Sequence, residues 1–341
     1  MKIVRCFSSF FIIAALGFFS LYNTGTAQAN PIALTYANFF PASHVQAKLG
    51  QSWAKEIERR TNGAVKITYY PSSILLKGNQ IYDGILKGKT DIGMSAFAYN
   101  LTRFPAMEAY HLPLGYYDGR ANTFIINDFY NRFRPEEFSK VKVLYLHAQG
   151  PNLFHSKKPV DKLEDLKNLK IRAIGAGAKE AKALGGVQVS IPMSETYAAL
   201  QRGVVDAYFA PIEQLKSGRI AEVIRHTVEN YSVSYSNGFY VFMNLNKWTS
   251  LPQDIQRIFD LVSLEWIAKH GRAWETSDAE GREFSLILGN KITALSESES
   301  ERWARAVEPV IDAYIEDKAK DNLPARDYVS YIKALIRKYA E

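Results

Sequence analysis

Apolar and polar positions along this chain switch repeatedly between a strand-like and a helical period. Residues 32–36, 65–70, 91–95 and 141–147 are short apolar or alternating runs and predict strands. Between them, helical spacing runs from Ser43 through Trp53 and Ile57 to a stop at Thr61-Asn62-Gly63, and recurs near 80–86 and 121–132. A second series follows, with strands at 169–174, 187–191 and 204–209 and helices at 178–184 and 194–202. Residues 236–244 are extended and apolar, and predict a strand that returns the chain to the first series. Beyond Leu251-Pro252, the residues Ile255, Ile258, Val262, Trp266, Ala273 and Phe284 keep helical spacing through a long proline-free stretch. One long helix is predicted there, and a break at Gly271 or Gly281 is the alternative. Helices over 298–317 and 325–339 complete the chain. Strands alternating with helices predict an α/β fold, and the two series predict two lobes.

The first residues follow a different logic. Lys2 and Arg5 precede an apolar run over 7–21, and Ala27-Gln28-Ala29 offers small residues before Asn30, which is the pattern of a cleaved secretory signal peptide. The competing reading is a retained anchor, but Ser8, Ser9 and Ser20 interrupt the run, and it is shorter than the roughly 20 apolar residues that span a bilayer. Removing residues 1–29 leaves 341 − 29 = 312 residues, enough for about two domains. The only cysteine, Cys6, lies in the leader, so a mature chain has no disulfide and no thiolate ligand. Hydrophobic residues make up 47% of the sequence and supply a large core. The net charge of +7 becomes 7 − 2 = +5 once Lys2 and Arg5 are gone. Acids are interleaved with the bases, as over 56–60 and 297–305, and no basic stripe of the kind that binds nucleic acid is present.

Several motifs resemble catalytic or cofactor sites and fall short. Gly175-Ala176-Gly177 sits between a strand and a helix, with Glu195 downstream, but Glu180 stands where a dinucleotide fingerprint needs its third glycine. The glycines read instead as a tight turn. Gly93-Met94-Ser95-Ala96-Phe97 approaches a nucleophile elbow, but Phe97 replaces the closing glycine and no histidine is assigned to Ser95 as a base. The six histidines, His44, His111, His147, His155, His226 and His270, show no zinc-site spacing. No cofactor and no metal is expected.

Arg172 ends the strand-like run Leu169-Lys170-Ile171 and is the residue most suggestive of a ligand. A guanidinium meets a carboxylate with paired hydrogen bonds and is costly to bury alone. A salt bridge to a neighbouring Asp or Glu is the alternative reading of that residue in isolation. The surrounding sequence resembles the DctP-type solute-binding proteins of TRAP transporters, in the stretch from Lys162 to Ala173 and in S-I-P-M-S-E-T-Y-A-A-L-Q-R-G-V-V-D-A-Y-F-A-P from Ser190 to Pro211. Blocks at 58–71 and 239–256 extend the resemblance over almost the whole mature chain.

The resemblance implies a two-lobed periplasmic-binding-protein fold, with crossing hinge strands and one long helix across both lobes. It places lobe I at 30–152 plus about 240–280, and lobe II at 153–239 plus about 281–341. It implies that Arg172 grips a substrate carboxylate. Met193 stands where a phenylalanine is common, Ala210 where an asparagine is common, and Pro151 or Asn152 near where many members carry a second basic residue. Arg103, Lys157 and Lys158 are alternative sources of that charge. Phe39, Phe40, Phe97, Tyr99, Phe154 and Phe209 are candidate apolar walls, Asn38 and Asn237 candidate polar contacts, and Glu213 either orients the arginine or caps a helix. The expectation is a monomeric periplasmic receptor, without catalysis, that carries an organic acid to TRAP permease subunits. The acid is expected to be a monocarboxylate with an apolar or aromatic body. A secreted α/β hydrolase-like enzyme and a ligand-presenting subunit of a sensor kinase are the alternatives.

Overall fold

The computed structural model describes residues 30–340, so the leader expected at residues 1–29 lies outside the described residues. The strands are β1 (Ile32–Asn38), β2 (Val65–Tyr70), β3 (Ile92–Ala96), β4 (Val141–Ala148), β5 (Asn152–Ser156), β6 (Lys170–Arg172), β7 (Val187–Val189), β8 (Ala207–Pro211), β9 (His226–Glu229), β10 (Gly238–Asn244) and β11 (Lys291–Ala294). They form two sheets, ordered β2-β1-β3-β10-β4 and β11-β9-β5-β8-β6-β7, one in each lobe. In the first sheet β1, β2 and β3 run parallel, and β10 inserts antiparallel between β3 and β4. The extended run at 236–244 thus returns the chain to its first sheet, as its apolar pattern predicts.

The helices are α1 (Val45–Arg60), α2 (Ile81–Leu86), α3 (Gly119–Phe133), α4 (Ala176–Ala183), α5 (Thr196–Arg202), α6 (Gln214–Ser217), α7 (Leu245–Thr249), α8 (Gln253–Ile287), α9 (Glu297–Lys320) and α10 (Ala325–Ala340). Helix α1 is capped by His44, whose side chain accepts the Gln46 N–H, and it buries Ala47, Gly50, Trp53, Ala54 and Ile57 along one stripe. Trp53 packs edge-on to Tyr36 of β1 and Phe259 of α8 in the first core. The core of the second lobe gathers Phe154, Phe209, Tyr235 and Trp303.

Two extended segments cross between the sheets, one between β4 and β5 and one just before β10, and α8 carries the chain from β10 to β11. The two segments are bonded to each other: Asn152 N–H donates to Tyr235 O at 2.8 Å, Gln149 N–H to Asn237 O at 3.2 Å, and Ser236 Oγ to Gln149 O at 2.8 Å. Helix α8 runs unbroken for 35 residues, roughly 50 Å at the usual rise, and packs on α1 and α3 at one end and α6 at the other. Gly271 and Gly281 therefore do not break it. They mark contact points: a Cβ on Gly281 would fall 2.3 Å from Ile212 O.

The C-terminal segment departs from the expected division. Helix α9 buries Trp303 and Val307 in the second core but Val310 and Tyr314 in the first. Helix α10 packs on α3, with Tyr339 Oη donating to Asp128 at 2.9 Å, so the chain beyond Val310 belongs with the first lobe and not with lobe II. An amphipathic period shows that a helix has a buried face but not which sheet receives it.

Candidate functional site

Strand β6 lies parallel to β8, and this pairing sets Arg172 across from Tyr208. The Arg172 side chain is buried, with its guanidinium carbon 5.0 Å from the centre of the Tyr208 ring. Its Nε donates to Ile191 O at 2.9 Å. No Asp or Glu among the described residues pairs with it, and its terminal nitrogens have no protein acceptor there. A buried guanidinium in that condition is a preformed anion site. Burial raises the pKa values of Tyr99, Tyr208 and Tyr235, and the Arg172 charge opposes that rise in all three, which places these phenols around the cation.

Arg172 lines a cavity between the lobes with about 540 Å³ of atom-free space, counting its open mouth. Aromatic rings make its first-lobe wall. Phe39 packs on Phe40 at 4.2 Å and edge-on to Tyr99 at 5.5 Å, while Phe239 stacks on Trp274 of α8 at 5.4 Å. Met193, Tyr208, Phe209 and Tyr235 line it from the second lobe. Among the described residues lining the cavity, Arg172 is the sole Lys or Arg and Glu213 the sole acid. Aromatic walls with a few fixed polar groups are the usual make-up of a small-molecule site.

Glu213 sits just after β8 and does not reach Arg172. One carboxylate oxygen accepts from Gln214 Nε2, and the other lies 3.7 Å from His44 Nε2 across the cleft. Glu213 stands at the N-cap position of α6, where its carbonyl accepts the Ser217 N–H, but its side chain makes no capping bond. Its backbone N–H donates to Asp278 Oδ1 of α8 at 3.1 Å. Burial, and secondarily the nearby Glu213, push the Asp278 carboxyl well above the usual range.

The cavity gathers Phe39, Phe40, Tyr99, Asn152, Arg172, Met193, Phe209, Glu213 and Asn237 from the sequence expectations. Asn152 is fully engaged at the hinge, giving its amide to Tyr235 O at 2.9 Å and accepting from Gln149 Nε2 at 3.1 Å. Asn38, Phe97, Phe154 and Ala210 lie elsewhere. Phe97 turns inward onto Phe104 and Tyr240, while its neighbours Ala96, Ala98 and Tyr99 face the cavity. Phe154 packs between Phe209 and Trp303. Ala210 faces the core of the second lobe, and its carbonyl accepts from His155. Asn38 binds Tyr69 Oη and Met94 Sδ and accepts the Phe40 N–H, so it shapes the turn that presents Phe40.

Arg103 pairs with Asp83, and neither Lys157 nor Lys158 lines the cavity. Pro151 lines a different hollow, behind the hinge. Ser95 gives its hydroxyl to Gly78 O at 2.7 Å, which leaves the apparent elbow without a base. Gly177 lies against Tyr235, whose Oη would be 2.2 Å from an added Cβ, and Gly175 adopts φ +57°. The glycine pair is thus a packing turn. Tyr208, Tyr235, Phe239, Trp274, Gln149 and Gln214 also line the cavity and escape sequence reasoning. None carries a local signal, since strand alternation puts even Tyr208 on the face opposite its candidate neighbour Phe209.

A family model described as Bacterial extracellular solute-binding protein, family 7 (DctP), matches residues 36–317. A TRAP periplasmic solute binding protein from Desulfovibrio salexigens is 31% identical, with a TM-score of 0.83 over 90% of this chain and 96% of that one. A TRAP solute binding protein from Rhodoferax ferrireducens, in complex with copurified benzoate, is 27% identical, with a TM-score of 0.83 over 91% and 98% of the two chains. The monocarboxylate 2-oxoacid-binding periplasmic protein of Nostoc sp. is 28% identical over 288 residues, 79% of this chain and 74% of its own length. With two lobes, bonded crossings, a spanning helix and a match from 36 to 317, the chain belongs to the DctP family of bacterial extracellular solute-binding proteins.

Proposed function

We propose that this solute-binding protein captures a monocarboxylate with an aromatic or bulky apolar body and delivers it to a TRAP-type permease. The observation that carries the reading is the charge inventory of the cavity: one buried cation, Arg172, without a carboxylate partner among the described residues, one acid, Glu213, and otherwise rings, aliphatic groups and amides. A single carboxylate satisfies Arg172. A second one would be buried without a cation and beside Glu213, and such a charge carries a penalty of several kcal/mol. Benzoate in the Rhodoferax ferrireducens structure and the 2-oxoacid named for the Nostoc protein agree in class with this inventory.

Binding would draw the lobes together about the paired crossings at 149–152 and 235–238, because the ligand contacts residues from both. No bond is made or broken, in keeping with Ser95 being tied to backbone. Residues 1–29 would direct export and be removed, leaving Asn30 first. Mass spectrometry of small molecules carried through native purification tests the function: an aryl or branched apolar monocarboxylate is expected. A C4-dicarboxylate or a sugar acid as the retained species would overturn it.

A further inference from the structure

The aromatic wall of the cavity is held from behind by a polar ring. Phe239 of β10 and His147 of β4 face each other across the first sheet and stack, with ring centres 5.0 Å and planes 15° apart. Phe239 lines the cavity and His147 lies beneath it. Helix α8 closes on His147 with two residues one turn apart on the same face. His270 stacks on His147 at 4.3 Å, and Trp274, which lines the cavity, donates its indole N–H to His147 Nδ1 at 3.0 Å. An indole offers one donor and no acceptor, so a buried tryptophan needs such a partner. A phenylalanine at 147 would continue the stack but accept nothing. For Nδ1 to accept, the ring must be neutral with its proton on Nε2. Burial, with His270 and His44 nearby, holds the His147 pKa well below its usual value and keeps the ring in that form. Trp274 is also confined elsewhere: a Cβ on Gly119 would fall 2.5 Å from its Cβ, and Phe239 stacks on it with planes 20° apart.

Building on the monocarboxylate reading above, we infer that His147 is a positioning residue of this site: by holding the Trp274 indole it fixes the wall of Trp274, Phe239 and Phe40 that receives the apolar body of the ligand. Phe40 lies 5.3 Å from Phe239 and 6.0 Å from Trp274, so a turned indole displaces both neighbours. Without its acceptor the buried N–H is orphaned, and the ring is free to turn toward another. A ligand must then reorder the wall as it binds, which lowers affinity without touching the carboxylate site.

Calorimetric titration with whichever of benzoate, phenylacetate and 4-methyl-2-oxopentanoate binds the wild type best tests this, in variants checked for a cooperative melt. His147→Phe keeps a ring and removes the acceptor, and should weaken binding by roughly 5- to 30-fold. His147→Asn places an amide oxygen where Nδ1 stands, and should bind within about threefold of the wild type. In a Trp274→Phe background, where there is no indole N–H to hold, adding His147→Phe should change affinity by less than about twofold. His147→Leu takes the place of His147→Phe throughout if the larger ring prevents folding. Wild-type affinity in His147→Phe would overturn the inference. So would a loss in His147→Asn as large as in His147→Phe, or the same loss in the Trp274→Phe background, since either would leave His147 with a packing role alone. If none of the three acids binds the wild type, the monocarboxylate reading falls and takes this inference with it.

Discussion

Arg172 gives one donor to Ile191 O and stacks near Tyr208, and no protein carboxylate among the described residues neutralises it. Arg172→Ala should weaken ligand binding by about 2 to 5 kcal/mol, roughly 30-fold to several thousand-fold, with a normal melting profile. Arg172→Lys keeps the charge but loses the planar fork, so calorimetry should place it between the two. Glu180 makes the opposite point. It is fully buried, neither carboxyl oxygen has a hydrogen-bond partner, and burial raises its pKa well above the usual value. Below about pH 4.3 both folded and unfolded chains hold the proton, and Glu180 leaves stability independent of pH. As pH rises, the unfolded state ionises while the folded state does not, so the group costs progressively more stability. Glu180→Met should therefore raise the melting temperature more at about pH 8 than at about pH 4; a gain equal at both would remove the buried acid as its cause. Arg172 was legible because a charge ending an apolar strand stands out. Asn38, Phe97, Phe154 and Ala210 were misplaced because side-chain direction flips at each strand residue, and residue type alone does not say which face is which.

At the scale of elements, α8 connects the hinge to the site. Its glycines differ in what they touch: a Cβ at Gly281 meets backbone at 2.3 Å, whereas one at Gly271 meets its nearest atoms at 3.3 Å. Gly281→Ala should push the helix off the 212–213 segment, lowering both melting temperature and ligand affinity. Gly271→Ala should change stability far less, since a helix-propensity gain of about 1 kcal/mol offsets the tighter contact. Thermal melts and titrations of the pair separate the effects, and equal behaviour would contradict this account of the helix. The helical period gave the length of α8 correctly, because Ile255 to Phe284 keep one face apolar. It could not place α9 and α10, whose apolar faces fit either sheet until the three-dimensional contacts select one.

On the scale of the whole molecule, the two lobes were legible as two series of strands and helices, and resemblance supplied the crossing hinge. What the sequence lacked was the cavity between the lobes itself. Its walls come from distant segments, Phe39 to Trp274, and no local pattern marks Gln149, Tyr235 or Phe239 as neighbours. The central claim is that this cavity takes one carboxylate and an apolar body. Calorimetric titration of the wild-type protein with benzoate, phenylacetate and 4-methyl-2-oxopentanoate, set against succinate, tests it most directly. The account predicts saturable binding of at least one monocarboxylate, with succinate weaker by about 100-fold or more, the equivalent of roughly 2.7 kcal/mol. Succinate binding as tightly as the best monocarboxylate would contradict it.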